Sequence, residues 1–107
     1  ASPDEAVARG ARLLARLAAE DPELHARVSE IVVLPDGFAV VDAPARLKLL
    51  LGDDALAPGR AFARWRAFLA LAPELSRHGL LPREVDLRFE NRIVLKAPGP
   101  EAARSDT

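Results

Sequence analysis

Along the first twenty residues the apolar positions fall at helical intervals. Ala6, Gly10, Leu13, Leu14 and Leu17 repeat at i, i+4 and i+7, the spacing that places one stripe of a helix against a core. Ser2, Pro3 and Glu5 supply a start signal: a capping hydroxyl, a proline at the first helical position and a glutamate placed to close a capping box. The pattern predicts a helix from Pro3 to about Glu20. Asp21, Pro22 and Glu23 repeat the cap-plus-proline signal, so a short helical turn reaching His25 or Ala26 follows.

From Val28 the period shortens. The run Val28-Ser29-Glu30-Ile31-Val32-Val33-Leu34 is β-branched and strand-like, and Pro35-Asp36-Gly37 is a turn in which proline fixes φ and glycine accepts positive φ. Phe38 to Val41 returns as a second strand, Asp42-Ala43-Pro44 turns again, and Arg46 to Leu51 forms a third that ends at Gly52-Asp53-Asp54. Three strands with short turns predict an antiparallel meander.

Helical spacing resumes from Arg60 to Arg77. Phe62, Trp65, Leu69 and Ala72 form the expected core stripe, with Phe68 and Leu75 on its flanks. Pro73 lies inside this pattern and predicts a kink or break near Leu69 to Ala72. Gly79 suits the position just past the helix end, and Pro82 blocks re-entry. Val85-Asp86-Leu87-Arg88-Phe89 then alternates as a half-buried strand, Glu90-Asn91-Arg92 reverses the chain around Asn91, and Ile93-Val94-Leu95 closes a hairpin. The predicted class is α+β: an N-terminal helix, a three-stranded antiparallel meander, a second helix and a C-terminal β-hairpin, with the helices packed on one face of an antiparallel sheet. One domain is expected over residues 1–97, with a disordered tail over 98–107.

Composition narrows the possibilities. A chain of 107 residues, half of them hydrophobic and 29% charged, suits one globular domain. A net charge of −1 argues against a generic nucleic-acid-binding module, which needs basic excess to neutralise phosphate. Cysteine is absent, which removes disulfides, thiol nucleophiles and Cys-ligated metals. No apolar run is long enough to span a bilayer and no signal peptide is recognisable. Methionine is also absent, including at position 1, so the chain reads as a piece of a longer protein or a processed product, and any targeting or membrane segment would lie upstream of it.

Candidate chemistry is sparse. Ser2, Ser29, Ser76 and Ser105 lack a nucleophile-elbow context. His25 and His78 read as helix-terminal residues. Asp53-Asp54 lacks the further oxygens that a calcium or magnesium site requires. No catalytic residue, metal or cofactor is therefore expected. Arg9, Arg12 and Arg16 form a basic ridge that could meet anionic lipid or nucleic acid, although Glu5 and Glu20 stand at pairing distance along the helix. Residues 60–96 hold eight Lys/Arg against four Asp/Glu, and residues 1–59 hold six against ten. This split favours an acidic partner at the C-terminal half or complementarity between the halves. The final strand, if it has only one neighbour, offers unpaired backbone groups. Arg92, Lys96 and Pro98 are there either to blunt that edge or to frame a strand-addition site.

The segment Val85-Asp86-Leu87-Arg88-Phe89-Glu90-Asn91-Arg92-Ile93-Val94-Leu95 resembles the "VDLRY-(D/N)-x-G" strand-turn-strand of the FtsQ/DivIB family of bacterial cell-division proteins. Val28-Ser29-Glu30-Ile31 is similar to that family's strand after its first helix, and Leu49-Leu50-Leu51-Gly52 to the end of its meander. Arg64 to Leu75 is similar to its second helix, internal proline included. The resemblance covers nearly all of residues 5–97 and points to the family's extracytoplasmic β domain.

The resemblance implies a non-catalytic scaffold on the periplasmic side of the cytoplasmic membrane, at the division septum, anchored by an upstream segment. Its implied partners are FtsB/DivIC-type and FtsL-type proteins, the former adding a strand to the last strand of the sheet. Carried over by position, the partner-binding residues are Arg88, Phe89, Glu90, Asn91, Arg92, Ile93, Val94, Leu95 and Lys96. Phe89 lacks the family's phenol hydroxyl, Arg92 stands where the family often has glycine, and Asp36 occupies a turn where some members carry arginine. The alternative reading is a membrane-surface or nucleic-acid adaptor acting through Arg9, Arg12 and Arg16.

Overall fold

The structure, a computed structural model, describes residues 2–57, 60–88 and 94–96. Helix α1 (Pro3–Glu20) begins where its cap predicts: Ser2 Oγ accepts the Glu5 amide at 3.2 Å. Leu13 and Leu17 are fully buried, while Leu14 remains 38% exposed. The expected stripe is thus narrower at its centre and spills to one side. Asp21 caps α2 (Pro22–Arg27) by accepting the Leu24 amide at 3.2 Å.

Strands β1 (Val28–Leu34), β2 (Gly37–Asp42) and β3 (Leu47–Gly52) form the predicted antiparallel meander. Gly37 is needed for a different reason from the one the turn pattern gives. It opens β2 opposite Gly52, and a Cβ there would lie 2.1 Å from the Leu51 carbonyl oxygen. Its backbone has no positive φ; close strand approach excludes the side chain. Gly37→Ala is therefore expected to cost about 2–3 kcal/mol as strands β2 and β3 are pushed apart, read as a lower urea midpoint.

A 3-10 turn (Asp53–Leu56) leads to α3 (Ala61–Arg77), which crosses the sheet. The helix runs unbroken through Pro73, so the expected break does not occur; residue 73 lies on its exposed side. Its buried positions are Ala61, Arg64, Trp65 and Phe68, with Phe62, Leu69, Ala72 and Leu75 at the margin. The stripe is rotated toward Phe68 relative to the sequence expectation. Gly79 ends the helix with φ +67°: its amide donates to the Ser76 carbonyl and that of Leu80 to the Leu75 carbonyl, the paired bonds of a left-handed glycine cap.

Strand β4 (Glu84–Asp86) then pairs parallel to β3, and β5 (Val94–Lys96) antiparallel to β4. The sheet order is β1-β2-β3-β4-β5. The sheet is mixed rather than wholly antiparallel, because a helix-containing connection returns the chain to start its next strand in the same direction. Both long helices cover one face. Phe38, Val40, Leu47, Leu49, Leu51, Val85 and Leu87 project from that face into one core with Leu13, Leu17, Leu24, Trp65 and Phe68. The reversal expected around Asn91 and the tail lie outside the described residues.

A carboxylate reaches into this core. Asp42, fully buried at the end of β2, accepts hydrogen bonds from Arg27 Nε (2.9 Å) and Trp65 Nε1 (3.1 Å) through Oδ2. Its Oδ1 accepts the Ala45 amide (3.2 Å), which fixes the turn before β3. The sequence pattern places this residue in the Asp42-Ala43-Pro44 turn, and its bond to Trp65 depends on a helix distant in sequence.

Candidate functional site

Among the described residues, the two outer strands of the sheet are β1 and β5. The hydrogen bonds between β3 and β4 set which backbone groups point outward at each. Lys48 donates its amide to the Arg83 carbonyl, and Leu87 donates to the Leu50 carbonyl, both at 2.9 Å. Successive residues of a strand turn their backbone groups to opposite sides, so Val85 faces β3 while Glu84 and Asp86 face β5. Their register partners Lys96 and Val94 close the β4–β5 ladder. Leu95, between them, turns its N–H and C=O to the open side.

The side chains around that edge are of two kinds. Leu95 lies opposite Val85 on the helix-bearing face and is 42% exposed. Val94 and Lys96 lie on the helix-free face. There Lys96 Nζ sits 2.7 Å from Glu84, whose other oxygen is 3.9 Å from Lys48 Nζ, giving a cross-strand row of alternating charge.

Asp86 is buried although no helix covers its face, because Arg88 folds back over it. Arg88 Nε donates to Oδ1 (2.9 Å), Nη2 to Oδ2 (2.6 Å) and the Arg88 amide to Oδ1 (3.0 Å). Asp36, in the β1–β2 turn, lies 3.8 Å from the same guanidinium. The hydrogen bonds from Arg88 hold the Asp86 carboxyl below its ordinary 3.8 against the opposing effect of burial. Above 3.8 the pair contributes its full stabilisation, which is lost as the pH falls through the depressed folded value. The urea midpoint is expected to drop on acidification from about pH 5 to about pH 2, and Asp86→Asn to flatten part of that drop. Asp21, held low in the same way by hydrogen bonds from Arg66, accounts for a further part.

Of the nine residues carried over by resemblance, the structure places four. Arg88 is bound to Asp86, and Val94, Leu95 and Lys96 form the outer strand. Phe89, Glu90, Asn91, Arg92 and Ile93 lie outside the described residues.

The other candidates resolve into structural contacts. Asp53 pairs with Arg9 (2.5 Å) and Asp54 with Arg64 (2.7 Å), so the adjacent carboxylates point to separate arginines. Arg9 also donates to the Leu34 carbonyl and stacks over Phe38, 5.1 Å from the ring centre. Arg16 pairs with Glu20 and donates to the Ala55 carbonyl. Two arginines of the ridge are thus turned inward, and the expected Glu5–Arg9 pair gives way to Arg9–Asp53. His78 caps the end of α3 with Nε2 3.5 Å from Glu74, and His25 is exposed on α2. Among the described residues no group of three His, Cys, Asp or Glu side chains could hold a metal ion. The space between α3 and the sheet is filled by Trp65, Phe68, Leu49, Val85 and Leu87.

Sequence reasoning missed the opposite edge. An apolar groove of about 810 Å³ runs between α1 and β1, lined on the helix by Val7, Gly10, Ala11 and Leu14. Val7 lies just off the expected α1 stripe, whereas Gly10 and Leu14 belong to it, and an isolated strand pattern does not say which strand is outermost.

No family model, curated protein or solved structure matches the chain. Among the described residues no helix is long and apolar enough to cross a membrane.

Proposed function

We propose that this domain is an FtsQ/DivIB-like interaction module of the bacterial division machinery, which binds FtsB/DivIC-type and FtsL-type partners by accepting a strand at β5. The observation that carries the reading is the place of β5 at the end of the sheet, with the backbone groups of Leu95 turned outward. A partner strand pairing there gains main-chain hydrogen bonds and extends the sheet. Its alternate side chains meet Leu95 on the helix side and Val94 and Lys96 on the open side. An acidic partner residue beside Lys96 suits the charge of that rim, and it also fits the basic balance of residues 60–96.

The resemblance of residues 85–95 to the family's strand-turn-strand supplies the identity of the partners and the extracytoplasmic, septal location, with membrane attachment through an upstream segment. Binding by strand addition requires no catalytic group or cofactor. Titration of the 15N-labelled domain with peptides from FtsB/DivIC-type C-terminal segments tests the reading. Amide shifts concentrated on Leu95, its strand neighbours and β4 are expected. Shifts confined to α1 or β1, or an unchanged spectrum at millimolar peptide, would contradict it.

A further inference from the structure

The free edge of β1 lies across the sheet from the proposed partner strand and has a different character. Carrying the backbone alternation across β3 and β2 turns Glu30, Val32 and Leu34 toward β2. Ile31 and Val33 therefore present their N–H and C=O groups to the outside. β1 is seven residues long and carries neither lysine nor an internal proline. Glu30 and the irregularity between Val28 and Glu30 blunt only the start of this edge, and Ile31 to Leu34 carry no charge, proline or bulge. Beside it α1 packs on the strand: Gly10 lies against Val33, and Arg9 donates to the carbonyl of Leu34 at the strand end. The helix flank over the groove exposes Val7 (71%) and Leu14.

We infer that this face is a two-fold interface with a second copy of the chain, in which β1 pairs antiparallel with β1 and joins two five-stranded sheets into one. The outward groups of Ile31 and Val33 fix the register. Ile31 of one copy forms the hydrogen-bonded pair with Val33 of the other, and Val32 meets Val32 on the axis. A register centred on Ile31 would run into the irregularity between Val28 and Glu30. In the chosen register Glu30 stands opposite Leu34, so no like charges face each other, and the apolar residues Val7, Ala11 and Leu14 of the two α1 helices come together over the seam. Among the described residues Glu30 is the sole charged one lining the groove, which suits an apolar, self-complementary occupant. The strand is roughly 23 Å long. With the helix flank, the interface covers on the order of 1,000 Å² in total, below the range of stable specific interfaces and within that of weak, transient ones, so the dimer is concentration-dependent.

The absence of cysteine makes the test clean. Residues facing each other as a non-hydrogen-bonded antiparallel pair have Cα atoms about 4.5 Å apart, within disulfide range. Val32 is 46% exposed on the helix-free face, so Val32→Cys leaves the core intact. Under mild oxidation it is expected to form a disulfide-linked dimer at least tenfold faster than the exposed control Ser76→Cys. Sedimentation velocity from roughly 10 μM to 1 mM should show a monomer–dimer equilibrium for the unaltered chain, and Val32→Lys, which opposes two ammonium groups on the axis, should leave a folded monomer by circular dichroism. The proposal is overturned by a monomer throughout that range with Val32→Cys linking no faster than Ser76→Cys. It is equally overturned by a dimer that Val32→Lys leaves unchanged.

Discussion

Asp42→Ala is expected to remove about 3–5 kcal/mol of folding stability. Three donors converge on this one buried carboxylate, from α2, α3 and the turn before β3. Arg27 is partly exposed and can turn to water. The Ala45 amide is half-buried in its turn, but the buried Trp65 indole N–H has no such escape, and a buried donor left without an acceptor costs about 1–3 kcal/mol. A void beside Trp65 adds to the loss. A domain of this size has a total stability of about 5–15 kcal/mol, so the variant sits near the edge of folding. Asp42→Asn is expected to be intermediate rather than benign. All three neighbours are donors, and the new amide nitrogen must face at least one of them. Urea unfolding followed by Trp65 fluorescence orders the three proteins, and equal stability of wild type and Asp42→Ala would show that the network contributes nothing.

Leu95→Pro is expected to weaken binding of an FtsB/DivIC-type peptide by about a hundredfold, the worth of two main-chain hydrogen bonds. Proline removes the outward donor, and its ring obstructs the partner strand. The free domain should keep its thermal midpoint, because an outer-strand residue whose N–H faces solvent tolerates proline. Val94→Pro, one residue earlier, has the opposite signature. The Val94 amide belongs to the β4–β5 ladder, so that variant loosens β5 itself and lowers the midpoint along with the affinity. Calorimetric titration beside thermal melts separates the two. Equal loss of binding in both variants with no difference in melting would contradict the assigned direction of Leu95.

Local signals carried most of the fold. Ser2, Pro3 and Asp21 mark helix starts by chemistry that acts over three or four residues, and the structure uses each as the pattern implies. Gly79 ends α3 for the same reason. What escaped depends on partners distant in sequence. Arg9 pairs with Asp53 rather than with Glu5, because the 3-10 turn after β3 folds against α1. Trp65 reaches Asp42 across the core, so neither residue's own neighbourhood announces the contact. The parallel β3–β4 step was implicit in the helix between them, but a strand's direction is a property of its connection and not of its own residues. The candidate site was partly legible. The alternation of residues 85–89 and the end position of the last strand pointed to an open edge. That Leu95 rather than Val94 offers its amide follows only from the hydrogen bonds two strands away.

Amide hydrogen exchange of β5, measured in the free domain and with an FtsB/DivIC-type peptide bound, tests strand addition most directly. In the free domain the Val94 and Lys96 amides should be protected by β4, and the Leu95 amide should exchange at the rate of an exposed group. With the peptide bound, Leu95 should become protected while its two neighbours change little. Saturated peptide binding that leaves Leu95 exchanging as fast as before would contradict strand addition at β5.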